Sequence, residues 1–356
     1  MKPNKLKPGD KIAIVSLSSG ILGEDFYSHQ LEIGTKRLKQ FGLEPVFMNS
    51  TLKGSKYIKE HPEQRAKDLK DAFKNSEIKA ILCAIGGEDT YKTILFLLDD
   101  KDFIESVKKN PKIFIGFSDS TNNHLMFNKL GLNTFYGHSF LSDFAELDQE
   151  MLIYSKKAFE VLFSSENNID IKSSAEWFEE RKDFSIKSLN TSRLKHIEEN
   201  GYDFLNDKNT IVGKLFGGCL ESLYDGLTGK RYADQKDIWK KYNIFPKTES
   251  LKETIFFIET SEESASPKDF ERMIMCLEKE KIFKYIKALI VGKPQDNNFY
   301  FEYKNILNKI SEKYNLPIVL NMNFGHSYPR TIIPYNCLMK IDFEKDNISI
   351  IENIVN

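Results

Sequence analysis

Short apolar runs alternate with amphipathic stretches through the first half of the chain. Residues 11–15 (KIAIV), 44–48, 79–84 (KAILCA), 112–115 (KIFI) and 133–136 read as five strands. Between them, residues 25–41, 62–73, 90–98 and about 119–130 carry helical spacing; the stretch at 62–73 opens on proline. Strands that are apolar throughout and separated by helices belong to a parallel sheet covered on both faces. The pattern therefore predicts a doubly wound α/β domain, closed by a helix over 151–163. Residues 164–209 break the pattern. They are polar, charged and poorly periodic, and too many for a simple connection. A second set of runs follows, with strands at 210–215, 254–258 (TIFFI), 288–291 and 318–320. Helices are expected near 267–279 and 300–314, and a terminal hairpin over 338–343 and 347–351. This predicts a mixed α/β domain with more antiparallel pairing. The expected boundaries are 1–165, a linker or substrate loop at 166–209, and 210–356.

Length and charge narrow the classes. The 356 residues exceed a usual domain of roughly 100–200, in keeping with two domains. The 51 Lys+Arg and 52 Asp+Glu leave a net charge of −1, with no broad pull toward a nucleic acid polymer or an anionic membrane. No apolar run approaches the roughly 18 residues that span a bilayer. The short run at 12–16 falls below the about 7–15 residues of a secretory signal, so a cytosolic protein is expected. Cys83, Cys219, Cys276 and Cys337 lie far apart and form no CxxC pair. They read as buried thiols, not as a disulfide framework or zinc site. Neither GxGxxG nor GxxxxGK[ST] occurs, and no cluster of ligand residues suggests a metal. No cofactor is expected.

Candidate chemistry sits where strands end. The fourth strand runs into Gly116-Phe117-Ser118-Asp119-Ser120-Thr121. A sharp strand-to-helix turn lifts one side chain off the sheet and aims the first free amides of the helix at a ligand. Ser118 is accordingly a candidate nucleophile, with a helix N-cap as its alternative role. Gly86-Gly87, at the carboxyl end of the preceding strand, let main chain approach a ligand and offer bare amides to an oxyanion. A serine nucleophile needs a base, and the base an orienting acid. His326, in Asn323-Phe324-Gly325-His326-Ser327, lies in a loop just past a strand; His138, in Tyr136-Gly137-His138-Ser139, is its rival. His124 reads as structural, and His29, His61 and His196 as surface residues. Glu259 closes the apolar run TIFFI, where a carboxylate must be paired, hydrogen-bonded or at a cleft. Glu262 and Glu263 are close by and less constrained.

Taken together, IGG at 85–87, GFSDST at 116–121, FIET at 257–260 and FGH at 324–326 resemble the LD-carboxypeptidase family of serine peptidases. KPGDKIAIVSLSSG at 7–20 is similar to that family's first strand and loop. GGCLESL at 217–223 looks like its GGNL segment, with Cys219 in place of the usual Asn. The resemblance covers nearly the whole chain. It implies a Rossmann-like N-terminal domain, a smaller mixed α/β C-terminal domain with β-barrel character, a site between them, and a homodimer. It makes Ser118 the nucleophile, His326 the base and Glu259 its orienting carboxylate, with the amides of Gly87 and Asp119 as oxyanion hole.

Two branches of the family differ in substrate. One trims terminal D-alanine from murein tetrapeptides. The other, the microcin C immunity branch, cleaves an aspartate from a modified nucleotide. IGGEDT here stands where murein-cutting members read RGGYG, and the insertion at 164–209 contains Ser174-Ala175-Glu176-Trp177. Both lean toward the immunity branch. Stacking a base on an aromatic face is worth about 1–3 kcal/mol, which makes Trp177 a candidate base platform or else a loop anchor; Phe184 is a candidate second aromatic. Gly86, Glu88, Trp177 and Arg330 are the candidate substrate contacts, Arg330 having a surface charge as its alternative. A non-catalytic peptide or nucleotide-binding module and an α/β-hydrolase esterase are the other classes. The missing GxSxG and HGGG-type segments oppose the esterase.

Overall fold

The structure is a computed structural model describing residues 1–206 and 209–356. The chain divides into two compact units. One comprises Met1–Ser165, Arg181–Arg193 and Ile354–Asn356; the other comprises Glu166–Glu180 and Leu194–Asn353. The segment expected as a linker is thus shared out between them.

In the first unit, strands β1 (Lys11–Val15), β2 (Glu44–Phe47), β3 (Ile78–Cys83), β4 (Ile113–Gly116) and β5 (Phe135–Tyr136) pair in parallel, in the order β5-β4-β3-β1-β2. Ile12, Ala13, Ile14, Ile81, Leu82, Phe114 and Ile115 are fully buried, as strands covered on both faces require. Connections leave β1 toward β2 and β3 toward β4, so the order reverses between β1 and β3. Ligands bind beyond the carboxyl ends of the strands at such a reversal. The loops there are residues 16–20 and 84–89, and the turn at Ser118 follows the adjacent strand β4. The helix Lys101–Lys109 was not expected from the pattern. It is short and buries Phe103 and Val107, with Asp100 capping it by accepting from the Phe103 amide.

Charge explains why 181–193 belongs to the first unit. Buried Glu146 is gripped on both oxygens, by Arg181 at 2.6 Å and by Arg193 at 2.6 Å. A buried carboxylate needs such partners. What reads as a polar insertion is in part an internal ion-pair lock.

The second unit holds an eight-stranded mixed sheet. Its members include β6 (Ile169–Asp170), β9 (Asp203–Leu205), β10 (Thr210–Cys219), β11 (Thr254–Glu259), β12 (Ala288–Gly292), β13 (Ile318–Met322) and the hairpin strands Leu338–Asp342 and Asn347–Ile350. The order is β6, Asn347–Ile350, Leu338–Asp342, β10, β11, β12, β13, β9. The centre, β10 to β13, is parallel and the flanks antiparallel. Among the described residues this sheet has two edge strands, so its barrel character stops short of closure. A separate ribbon pairs β7 (Glu176–Phe178) with β8 (Lys195–Ile197). No helix among the described residues is long and apolar enough to cross a membrane.

Candidate active site

Ser118 opens a 3-10 turn, Ser118–Ser120, that continues into the buried helix Thr121–Lys129. Its φ is +62°, a left-handed conformation that a non-glycine residue adopts at a cost of about 1–2 kcal/mol. Such strain persists only where the surroundings hold it. Here the Ser118 amide donates to the Tyr136 hydroxyl at 3.0 Å. Gly86 completes the fit, since a Cβ there would lie 2.8 Å from Ser118 Cβ and 3.0 Å from its Oγ. Gly86 is buried, whereas Gly87 and Glu88 are exposed.

Asp119 ties the loops of this site together. Its Oδ2 accepts from the Ser18 hydroxyl and from the Thr90 amide at 2.8 Å, and its Oδ1 from Asn122 Nδ2 at 2.9 Å. Burial raises its pKa to about 6, against the pull of those hydrogen bonds. Fully buried Arg65 donates to the Leu17 carbonyl at 3.0 Å and to Asp89 at 2.6 Å, joining the loops after β1 and β3. Ser18, Tyr136, Arg65 and Asp89 escaped sequence reasoning. Ser18 carried one signal, its place in the SLSSG segment after β1.

In the second unit, Glu259 ends β11 beside Cys219 of β10. Its side chain is fully buried, and Oε2 accepts from His326 Nδ1 at 2.7 Å and from the His326 amide at 3.2 Å. Gly325, at φ +81°, makes that contact possible: a Cβ there would lie 2.3 Å from Glu259 Cγ. This is why FGH carries glycine before histidine. The other ring nitrogen, Nε2, meets Glu262 Oε2 at 2.9 Å. Burial alone would lower the His326 pKa, but the charge and hydrogen bond of Glu259, then those of Glu262, raise it to about 10. The hydrogen bond to His326 lowers Glu262 to about 2. Glu221 accepts from the Ser261 amide at 3.1 Å, and burial followed by the charge of Glu259 raises it to about 7.

The rival histidine has another occupation. His138 is fully buried among Phe144 and Phe159, with Nε2 on the Ser155 carbonyl at 2.8 Å. His124 engages Thr134 at 2.7 Å and the Gly116 carbonyl at 2.9 Å, and burial lowers its pKa to about 3. Arg330 is no surface charge. It is fully buried, with its guanidinium 4.1 Å from the Tyr328 ring centre and Nε donating to the Ser327 carbonyl. Trp177 lies in β7, half-buried, stacked on His196 at 4.1 Å, with the Lys293 ammonium 5.1 Å from its ring centre. Phe184 belongs to the first unit, where its carbonyl meets His29 Nε2. Cys83, Cys219 and Cys337 are buried, but Cys276 is half-buried, contrary to expectation. Burial pushes Cys83 up to about 12 and Cys219 well above the usual thiol value, so neither is a thiolate nucleophile. Among the described residues no group of His, Cys, Asp and Glu is arranged to hold a metal ion.

Comparison with known proteins adds an independent line. The model of the LD-carboxypeptidase N-terminal domain matches residues 12–137, and that of the LD-carboxypeptidase C-terminal domain matches 212–341. YocD of Bacillus subtilis (strain 168) is 28% identical over 96% of both chains. The microcin C7 self-immunity protein MccF of Escherichia coli is 25% identical over 90% of this chain and 87% of its own. A solved MccF-like protein from Streptococcus pneumoniae, in complex with AMP, is 45% identical, covering 96% of this chain and 98% of its own, with a TM-score of 0.92.

Proposed function

Since the chain belongs to the LD-carboxypeptidase family, we propose that it is a serine carboxypeptidase with a Ser118–His326–Glu259 triad, acting on a small aminoacyl-nucleotide. The observation that carries the reading is the grip of Glu259 on His326 Nδ1, at 2.7 Å from a fully buried carboxylate. It keeps a proton on Nδ1 and leaves Nε2 as the nitrogen that exchanges protons with the serine. The strained Ser118 supports the same reading from the other unit.

The reaction is two-step acyl transfer. Ser118 Oγ attacks the scissile carbonyl as His326 Nε2 takes its proton. The amides of Gly87 and Asp119 donate to the oxyanion. His326 then protonates the leaving nitrogen, the acyl–nitrogen bond breaks, and water clears the acyl-serine by the same base. The AMP bound by the 45% identical relative favours a nucleotide-bearing substrate. Trp177 is our base platform, one of its neighbours being the stacked ring of His196. Gly86 and Glu88 line the approach to the serine, and Arg330 backs the base loop.

The test is a mass-spectrometric comparison of aspartyl sulfamoyl adenosine with a murein tetrapeptide, each offered to the purified protein. Release of aspartate from the first is expected. Cleavage of the tetrapeptide alone would move the chain to the murein branch, and cleavage of neither would refute the enzyme.

A further inference from the structure

His326 is bonded at both ring nitrogens to carboxylates, Nδ1 to Glu259 and Nε2 to Glu262. An ionised carboxylate only accepts hydrogen bonds, so a ring held this way carries a proton on each nitrogen. That ring is an imidazolium, and an imidazolium cannot take a proton from a serine. One carboxylate has to leave before the base can act.

The two are not equivalent. The Glu259 side chain is fully buried at the end of a central strand, while that of Glu262 is 63% exposed on the loop after it. Glu262 is the one free to swing. The charged groups acting on the ring within this unit are Glu259 of β11, Glu262 of the following loop and Glu221 at the start of the helix Leu220–Thr228; Cys219, at the end of β10, neighbours Glu259 and Glu221, and its thiol is neutral. Arg231, the neighbouring cation, already pairs with Glu263 and Asp225. A carboxylate released from His326 is attracted by Arg231 and reached by water, and an incoming cation on the substrate competes with both for it.

We infer that Glu262 is a clasp that exchanges His326 for an ammonium on the substrate, so that recognising the substrate frees the base. The inference rests on the proposed peptidase reading. An aminoacyl substrate carries its ammonium on the carbon next to the scissile carbonyl, within reach of a group that began on the catalytic ring. When Glu262 moves to that ammonium, the Nε2 proton passes to water and the ring keeps its Nδ1 proton on Glu259. Neutral Nε2 then accepts the Ser118 proton. Glu262 touches the reacting base before the reaction and the substrate during it, and it discriminates free amines from blocked ones.

The test reads the ring directly, by NMR titration of labelled His326, so it does not depend on turnover. In Glu262→Gln the His326 midpoint should fall by at least one pH unit. In a Ser118→Ala protein, aspartyl sulfamoyl adenosine should lower the midpoint, and its N-acetylated counterpart should not. In steady-state kinetics, the acid limb of kcat/KM should move to lower pH in Glu262→Gln, and the preference for the free amine should drop at least tenfold. An unmoved midpoint in Glu262→Gln, or an undiminished amine preference, would overturn the clasp. A shifted midpoint without turnover of either compound would instead overturn the peptidase reading and leave the resting clasp standing.

Discussion

Replacing Gly325 with alanine puts one methyl group against the carboxylate that holds the base. Gly325 sits at φ +81°, and a Cβ there would come within 2.3 Å of Glu259 Cγ and 2.4 Å of its Cδ and Oε2. Neither side yields easily. Glu259 lies in β11, bonded on both flanks to β10 and β12, and its side chain has no exposure. The left-handed backbone costs an alanine about 1–2 kcal/mol, and overpacking adds about 1–3 kcal/mol. The second unit should lose about 2–5 kcal/mol. Part of the clash is relieved if Glu259 swings away, and that separates Oε2 from His326 Nδ1. Turnover should therefore fall at least tenfold in protein that is still folded. Urea unfolding followed by near-ultraviolet circular dichroism measures the first effect, and kcat the second. A Gly325→Ala protein with an unchanged unfolding midpoint and unchanged kcat would refute the account of how Glu259 and His326 are held.

Glu259→Gln keeps the shape and removes the charge; by analogy with other triads, kcat should fall on the order of 10⁴-fold, checked by steady-state turnover, and a loss under tenfold would count against the orienting role. His138→Ala should lower stability by opening the aromatic cluster of Phe144 and Phe159, while kcat of the folded fraction stays within about twofold; loss of turnover in a stable protein would restore His138 as base. His124, held neutral by burial with a pKa of about 3 against an unfolded value of 6.5, binds more protons when unfolded. Its contribution is therefore complete above pH 6.5 and lost as pH falls toward 3, on the order of 5 kcal/mol; NMR should show its ring still neutral at pH 5. Trp177→Ala should raise KM for aspartyl sulfamoyl adenosine by roughly 5- to 150-fold, the value of one base stack, and leave kcat largely intact.

The strands were legible because burial on both faces leaves continuous apolar runs, as in KIAIV and TIFFI. The helix Leu220–Thr228 was not. Its interior Gly226 lowers helix propensity, and only the packing of Trp239 against that glycine, where a Cβ would lie 2.4 Å from the ring, makes sense of it. The charged stretch at 181–193 concealed its ties for a similar reason, since Glu146 is distant in sequence from the arginines it binds. Ser118 and Glu259 stood out by their position at strand ends. Glu262 did not, because nothing in ETSEE tells which glutamate meets the histidine. The same holds for Arg65 and Ser18, whose partners come from loops that only the sheet order brings together.

The most direct test of the central claim, a serine made reactive by a carboxylate-oriented imidazole, is to trap the acyl group. Protein mixed with aspartyl sulfamoyl adenosine, quenched in acid within a turnover and mapped by mass spectrometry, should carry an aspartyl ester on the peptide containing Ser118. The adduct should be absent in Ser118→Ala and strongly reduced in His326→Ala. Substrate hydrolysis by Ser118→Ala at the wild-type rate, or an adduct on another residue, would contradict the account.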